Sequence, residues 1–332
     1  MTAPTNTFET YGAKGIREDL SNVIYNISPV ETPLFSNAGR ETATNTYFEW
    51  QVDTLAPASL SNAQLEGDDA SIDTVQATSR VGNYTQISRK TVSVAGTLEA
   101  VDKAGRRSEL AYQLAKKSKE LKRDMEAMAC QNNVASAGSA SAARTTAGFE
   151  TWMNSLGNDD GTNTANSNRG TGGADPVYSG GGAPSAAPTD GTQRLFTEAM
   201  LKDVVQQIYQ NSVTAPPILM VGPHNKQVVS TFAGVATTRY QLTKPETTAI
   251  IGAADIYVSD FGELTVVPNR FQRERSALFF NPEYVSIAYL RNFQQFELAK
   301  TGDSEKRELL VEWGLKVHNP AAHGIVADLL TS

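Results

Sequence analysis

The chain has 332 residues, 40% of them hydrophobic, enough apolar mass for the core of one large or two ordinary domains, which excludes a disordered polypeptide. Its formal net charge of −7 argues against a protein whose main task is gripping nucleic acid, because phosphate neutralisation needs a basic face, and leaves only a local basic patch open. A single cysteine, Cys130, excludes an internal disulfide and a cysteine-based zinc site, in keeping with a reducing compartment.

Residues 1–40 are polar and rich in turn formers, at Ser28-Pro29, Thr32-Pro33 and Asn37-Ala38-Gly39, and read as an extended arm with one helical turn around Arg17 to Ile24. The opening MTAPTNTFETYGAKG has neither the basic nor the apolar region of an export signal, and no window reaches the roughly 18 apolar residues of a membrane span, so passage through a membrane is not expected. Tyr47 to Val52 predicts a strand and Val81 to Val94 a second one, both rich in aromatic and β-branched residues. Between them lie about thirty polar and small residues, longer than an ordinary loop of a compact domain. From Glu41 to Ser79 there are seven carboxylates (Glu41, Glu49, Asp53, Glu66, Asp68, Asp69 and Asp73) and no Lys or Arg. Such a ribbon reads either as a solvated, solubilising loop or as a projection that leans on something outside its own fold.

Leu110, Leu114, Leu121, Met125 and Met128 recur at helical spacing and predict a long amphipathic helix over 106–129, a rod of about 35 Å. Its other face is basic. Lys103, Arg106, Arg107, Lys116, Lys117, Lys119, Lys122 and Arg123 stand against Glu109, Glu120, Asp124 and Glu126, a pattern that ordinarily marks a solvated helix face with i,i+4 pairs. Cys130, in AMACQNN, reads as helix packing. The stretch Gly157 to Gly191 holds nine of the 25 glycines and reads as a surface loop or insertion.

Thr197 is placed to cap a helix, EAMLKDVVQQIYQ, whose Met200, Leu201, Val204, Val205 and Ile208 form an apolar face; the strand ILMVG and a further helix, HNKQVVSTF, follow. From Asp255 onward the chain turns to strands: IYVSD, LTVVP, ALFFN, YVSIAYL and LLVEWGLKVH. In the last, Val311, Trp313, Leu315 and Val317 alternate with Glu312, Gly314, Lys316 and His318. The order of arm, ribbon, long helix, αβ unit and late strands, with no internal repeat, predicts an α+β fold.

Constellations for catalysis are missing. A Ser–His–carboxylate relay has only three histidines to draw on, His224, His318 and His323, none in a nucleophile context. His318 and His323 flank Pro320 and do not share a helix face, so a metal pair is not expected. VGPHNK lacks the second glycine and the lysine–hydroxyl pair of a phosphate loop and reads as an ordinary strand-to-helix turn. Asn158, Asp159 and Asp160 lack the alternating ligand spacing of a calcium loop and read as a turn. No catalytic, cofactor-binding or metal residues are expected, no cofactor is implied, and the chain is not expected to be an enzyme.

Collinear motifs over nearly the whole chain carry a resemblance: REDLSNVIYNISPVETPLFS (17–36), FEWQVDTLA (48–56), EGDDA (66–70), DGTQRLFTEAMLKDVVQQIY (190–209), MVGPHNKQVVSTFAG (220–234), IYVSDFGELTVVPNRFQRER (256–275), LAKTGDSEKRELLVEWGL (298–315) and NPAAHGIVADL (319–329). They resemble a family of major head proteins of tailed, double-stranded DNA bacteriophages, similar to the Hong Kong 97-type capsid fold. That resemblance implies a structural subunit of the virion that self-assembles as pentamers and hexamers into an icosahedral head, made in the host bacterial cytoplasm. It implies an N-terminal arm at 1–40, an extended β-hairpin loop at 41–92, and a peripheral domain at 93–156 that contains the spine helix 106–129. The glycine-rich insertion at 157–191 is followed by an axial domain at 192–254, with 255–332 returning as strands to the peripheral domain.

With the resemblance in place, the acidic ribbon and the basic helix face belong to different copies of the chain. The expected contact sets Glu66, Asp68, Asp69 and Asp73 of one ribbon against Lys103, Arg106, Arg107, Lys116, Lys119 and Arg123 of a neighbour. The ribbon tip has no lysine, so the covalent lysine–asparagine cross-link of some relatives is not expected, and Lys90 lies near the base of the loop. Expected partners are further copies of the chain, a separate scaffolding protein, a portal, a decoration protein, and packaged DNA held by weak non-specific contact, with no membrane. The alternative from another class is a secreted or surface ligand-binding module presenting 157–191.

Overall fold

The computed structural model describes residues 31–332 except 54, 56–57, 68, 70–71, 73–74, 76, 104, 154–165, 179–181, 213 and 233–255. The arm as far as residue 30 with its expected helical turn, the turn at Asn158 to Asp160, and the carboxylates Asp68 and Asp73 lie outside the described residues.

Described elements run α1 (Pro33–Asn37), β1 (Gly39–Thr42), β2 (Tyr47–Val52), β3 (Ser79–Tyr84), β4 (Gln86–Ala95), α2 (Gly96–Ala100) and α3 (Glu109–Ala129). Next come β5 (Ser167–Asn168), β6 (Val177–Tyr178), β7 (Pro184–Ala186), α4 (Glu198–Asn211), β8 (Ile218–Val221) and α5 (Pro223–Val229). The chain closes with β9 (Ile256–Ser259), β10 (Gly262–Pro268), β11 (Ser276–Phe280), β12 (Val285–Glu297), β13 (Ser304–Val317) and β14 (Gly324–Ala327).

Two sheets organise these elements, one ordered β1-β12-β13-β4 and the other β5-β14-β11-β8-β10-β9. In the first, β12 and β13 form a long antiparallel pair from Val285↔Val317 to Glu297↔Arg307, and β4 lines the far side of β13. α3 packs against β4 and β13, so that Leu121 and Met125 share a core with Trp152, Phe280, Trp313 and Leu315. In the second sheet β8 runs parallel to β10 and antiparallel to β11, and the predicted stripe of α4 (Leu201, Val204, Val205, Ile208) seals it against Leu219, Val266 and Phe279.

Sequence and structure part in four places. The long helix starts at Glu109 rather than Arg106, because the Ser108 hydroxyl accepts the Ala111 amide at 3.2 Å and caps it there. The late strands divide between the two sheets: β12 and β13 lie in the sheet beside α3, whereas β9, β10, β11 and β14 join the six-stranded sheet, whose Ala277, Phe279 and Val326 meet α4 and whose Leu278, Phe280 and Ile325 face the core of α3. β13 is buried on both faces where alternation predicted one. The Phe48 ring covers Gly314, where an added Cβ would sit 2.6 Å from its Cε1. Glu312 is held by the Thr85 hydroxyl at 3.0 Å, Arg291 at 2.7 Å and Arg144.

The fourth difference is the glycine-rich stretch, which in its described parts is a built hairpin. Asp328, buried and with a φ of 61°, accepts the Gly170 amide at 3.0 Å, the Gly191 amide at 2.7 Å and Arg275 at 2.8 Å. Glycine is required at Gly170 by close approach: an added Cβ would lie 2.2 Å from the Thr192 carbonyl oxygen.

Candidate inter-subunit surfaces

The root of the ribbon is firmly packed. β2 and β3 pair from Tyr47↔Tyr84 to Val52↔Ser79, Trp50 lies 5.4 Å from Trp152, and Glu49 meets Arg80 at 3.1 Å. The described residues from Asp53 to Thr78 are all exposed, Glu66 and Asp69 among them.

Sequence reasoning concentrated on the carboxylates of this ribbon and passed over its apolar side chains. Leu55, Leu60, Leu65, Ile72 and Val75 are 97, 104, 81, 99 and 92% exposed. Single exposed apolar residues are ordinary, but five large ones in one projecting segment are apolar surface of the kind that interaction sites present. Among the carboxylates, Glu49 is held by Arg80, and Glu41 by Lys316 at 2.7 Å and His318 at 2.8 Å.

The structure divides the predicted basic face. Lys103 is 7% exposed and donates to the carbonyls of Leu98 at 2.8 Å, Glu99 at 2.9 Å and Val101 at 3.2 Å, closing the C-terminus of α2. Arg106 pairs with Glu109 and lies 5.3 Å over the Tyr112 ring. Arg123 stacks on Phe271 at 5.2 Å with its Nε buried. These three cations have partners within their own chain: carbonyl oxygens for Lys103, a carboxylate and a ring for Arg106, and a ring for Arg123. Arg107, Lys116 and Lys119 remain exposed. Lys90, on β4, is held by Asp124 of α3 at 2.5 Å.

Glu126 is a structural anchor that the sequence did not reveal. It counted as a solvated acid of α3, yet it is 0% exposed. Its carboxylate accepts the amides of Leu34 at 2.8 Å and Phe35 at 3.0 Å, and the Asn269 side chain at 2.8 Å. Burial pushes its pKa up against the pull of those three donors. It thus ties the end of the arm, the long helix and the loop after β10 into one joint. Thr32-Pro33 at the start of α1 is the local trace of this cap, since the helix has no side-chain N-cap of its own.

One cluster has the composition of a hydrolase relay but not its geometry. The Ser286 hydroxyl lies 3.0 Å from His318 Nε2, and Glu41 Oε1 lies 2.8 Å from the same nitrogen. A relay needs the carboxylate on Nδ1, holding the ring while Nε2 faces the nucleophile. Here the Ser286 hydroxyl donates to Glu41 itself at 2.9 Å, and the cluster pins β1 to β12 and β13. Burial lowers the His318 pKa by more than Glu41 restores, and the Glu41 pKa, raised by burial, is brought below its ordinary value by Lys316, Ser286 and His318. At the VGPHNK turn the Glu274 carboxylate accepts the His224 amide at 2.7 Å and fills the place a phosphate would take. Among the described residues no group of three or more His, Cys, Asp or Glu is arranged to hold a metal ion.

A family model described as SU10 major capsid protein matches residues 3–330. The major capsid protein of Escherichia phage Phieco32 is 30% identical over 357 residues, covering 98% of this chain and 97% of that protein. Among solved structures, a chain of the cyanophage A-1(L) capsid asymmetric unit has a TM-score of 0.66 at 11% identity, over 98% of this chain and 99% of its own. A chain of the cyanophage P-SCSP1u capsid gives 0.60 at 10% identity, over 95% and 93%. A chain from the capsid of a native GTA particle gives 0.59 at 13% identity, over 97% and 98%. At such identities these structures speak to the fold, which is the capsid fold expected from the sequence motifs.

Proposed function

The chain belongs to the SU10 major capsid protein family, a family of structural phage-head subunits with the Hong Kong 97-like fold, and from that premise we propose how its copies hold one another. The ribbon of one subunit docks on the next, around pentamers and hexamers. The observation that carries this is the row Leu55, Leu60, Leu65, Ile72 and Val75, between 81 and 104% exposed in the single chain.

Magnitudes decide which groups bind and which orient. Burying one such side chain contributes roughly 1.5–3 kcal/mol, whereas an exposed ion pair contributes about 0.2–1 kcal/mol. The apolar row therefore supplies the affinity. Glu66, Asp68, Asp69 and Asp73, facing Arg107, Lys116 and Lys119 of a neighbour, steer the approach and fix the register. Repetition around a closed shell turns modest contacts into a durable one.

The remaining parts take roles from their place in the fold. The unit of α4 and its sheet is the axial domain, pointing toward the centre of each ring, and the unit of α3 is the peripheral one. Scaffold, portal and decoration protein are separate chains, and the acidic subunit, at −7, contacts packaged DNA weakly and without sequence preference. Subunits await assembly in the host cytoplasm. The role is structural, with no catalytic step assigned to any residue.

The test is assembly of the protein by sedimentation and negative-stain microscopy, alone and with its scaffold. Leu60→Ser combined with Leu65→Ser should abolish shells and rings, and reversal of Asp68 and Asp69 to Lys should slow or misdirect them, each from a monomer that unfolds like the native one. Normal shells from the double leucine variant would refute the docking role of the ribbon.

A further inference from the structure

The glycine-rich hairpin joins the six-stranded sheet to the root of the ribbon by backbone hydrogen bonds at both ends. Its base is rooted in the six-stranded sheet: β5 pairs with β14, Asp328 holds Gly170 and Gly191, and Asp190 lies 2.5 Å from Arg273 and 3.3 Å from Arg275. Its two arms are tied by reciprocal hydrogen bonds between Ala174 and Thr189, at 3.1 and 2.9 Å, and by the pairing of β6 with β7. Its far end reaches the root of the ribbon. There the Gly182 amide donates to the Arg80 carbonyl at 2.9 Å, and the Gly182 carbonyl accepts the Gly82 amide at 3.0 Å, in a parallel bridge to β3.

The residues at this junction leave little freedom. Gly182 has a φ of +113°, a conformation L side chains rarely adopt, and an added Cβ would lie 3.3 Å from the Tyr47 hydroxyl. The Tyr47 ring also fills the space a side chain on Gly82 would need, with Cζ at 2.6 Å. Two strands alone make a marginal, easily twisted ribbon, and the bridge at Gly182 adds two backbone hydrogen bonds to its root.

We propose that the hairpin arms at 170–178 and 182–191 form a brace that sets the angle of the ribbon relative to the six-stranded sheet. Its base moves with α4 and its end moves with β3, so a tilt of one is transmitted to the other. This inference rests on the reading of the ribbon as the contact between copies: if ribbons bind neighbours, the ribbon angle sets the local curvature of the shell. A subunit that must sit in rings of five and of six needs that angle limited to a narrow range.

The test uses the full-length chain with two substitutions. Gly182→Pro removes the donating amide and cannot take the native φ; Gly182→Ala strains the same turn and carries the test if the proline variant does not fold. Hydrogen exchange at the Gly82 amide should quicken about tenfold while Gly170 and Gly191 stay protected. Electron cryomicroscopy should show shells of several diameters, or open curved sheets, in place of one size. Unchanged exchange at Gly82 overturns the brace, and so does faster exchange with a single native diameter. Loss of every assembly from a still-folded subunit overturns it too, because a brace tunes a ribbon that can still dock. Failure of the docking reading shows separately, as normal shells from the ribbon leucine variant.

Discussion

Acidification should destabilise the subunit through His323. The ring is 0% exposed, edge-on to Phe149 at 5.2 Å and stacked on Phe280 at 6.2 Å, and Nδ1 accepts the Asn281 amide at 3.2 Å. Burial keeps it neutral, pushing its pKa down from 6.5 to about 3. In the unfolded chain the ordinary value returns, so below pH 6.5 the unfolded state takes up a proton that the folded state refuses until about pH 3. Stability from this group is full above 6.5 and falls as the pH drops through that window. At pH 4.5 the loss is roughly 3 kcal/mol, a large part of the ~5–15 kcal/mol of a typical domain. Urea unfolding of the dissociated subunit at pH 7 and pH 4.5, compared with His323→Gln, isolates the effect, because other groups titrate alike in both proteins. The variant starts weaker at pH 7 but should lose about 3 kcal/mol less on acidification. Equal losses in the two proteins would refute the assignment.

Glu126→Ala should leave the amides of Leu34 and Phe35 unpaired and cost about 1–3 kcal/mol in urea unfolding, with faster proteolysis of the arm ahead of α1. Gly314→Ala should be destabilising by about 1–3 kcal/mol, since the added methyl meets the Phe48 ring, and near-ultraviolet circular dichroism should report the displaced aromatics. Shells should run on a denaturing gel as a single monomer band, since the ribbon tip has no lysine and Lys90 is engaged by Asp124; a ladder of covalent oligomers would contradict this.

Elements with a strong local period were legible from residues alone. The stripe of α4 and the Leu121–Met125 face of α3 are buried as spacing predicted, because each helix covers one sheet. What escaped depends on partners distant in the chain. Glu126 caps amides 92 residues upstream, and Asp328 organises glycines more than a hundred residues before it, so neither shows in any local window. The second buried face of β13 follows from Phe48 and Arg144, which the period of β13 itself cannot encode. In the ribbon, Leu55, Leu60 and Leu65 follow neither a helical nor a strand period, so no local pattern sets them apart. Lys103 illustrates the converse: a cation beside a short helix is as readily a cap as a surface charge, and only the carbonyls it meets decide between them.

The central claim is that the ribbon finds its packing on another copy. Hydrogen exchange across residues 55–75, measured in the dissociated subunit and again in assembled shells, tests it most directly. Rapid exchange in the subunit with at least about tenfold protection in the shell is the predicted result, and equally rapid exchange in both states would contradict it.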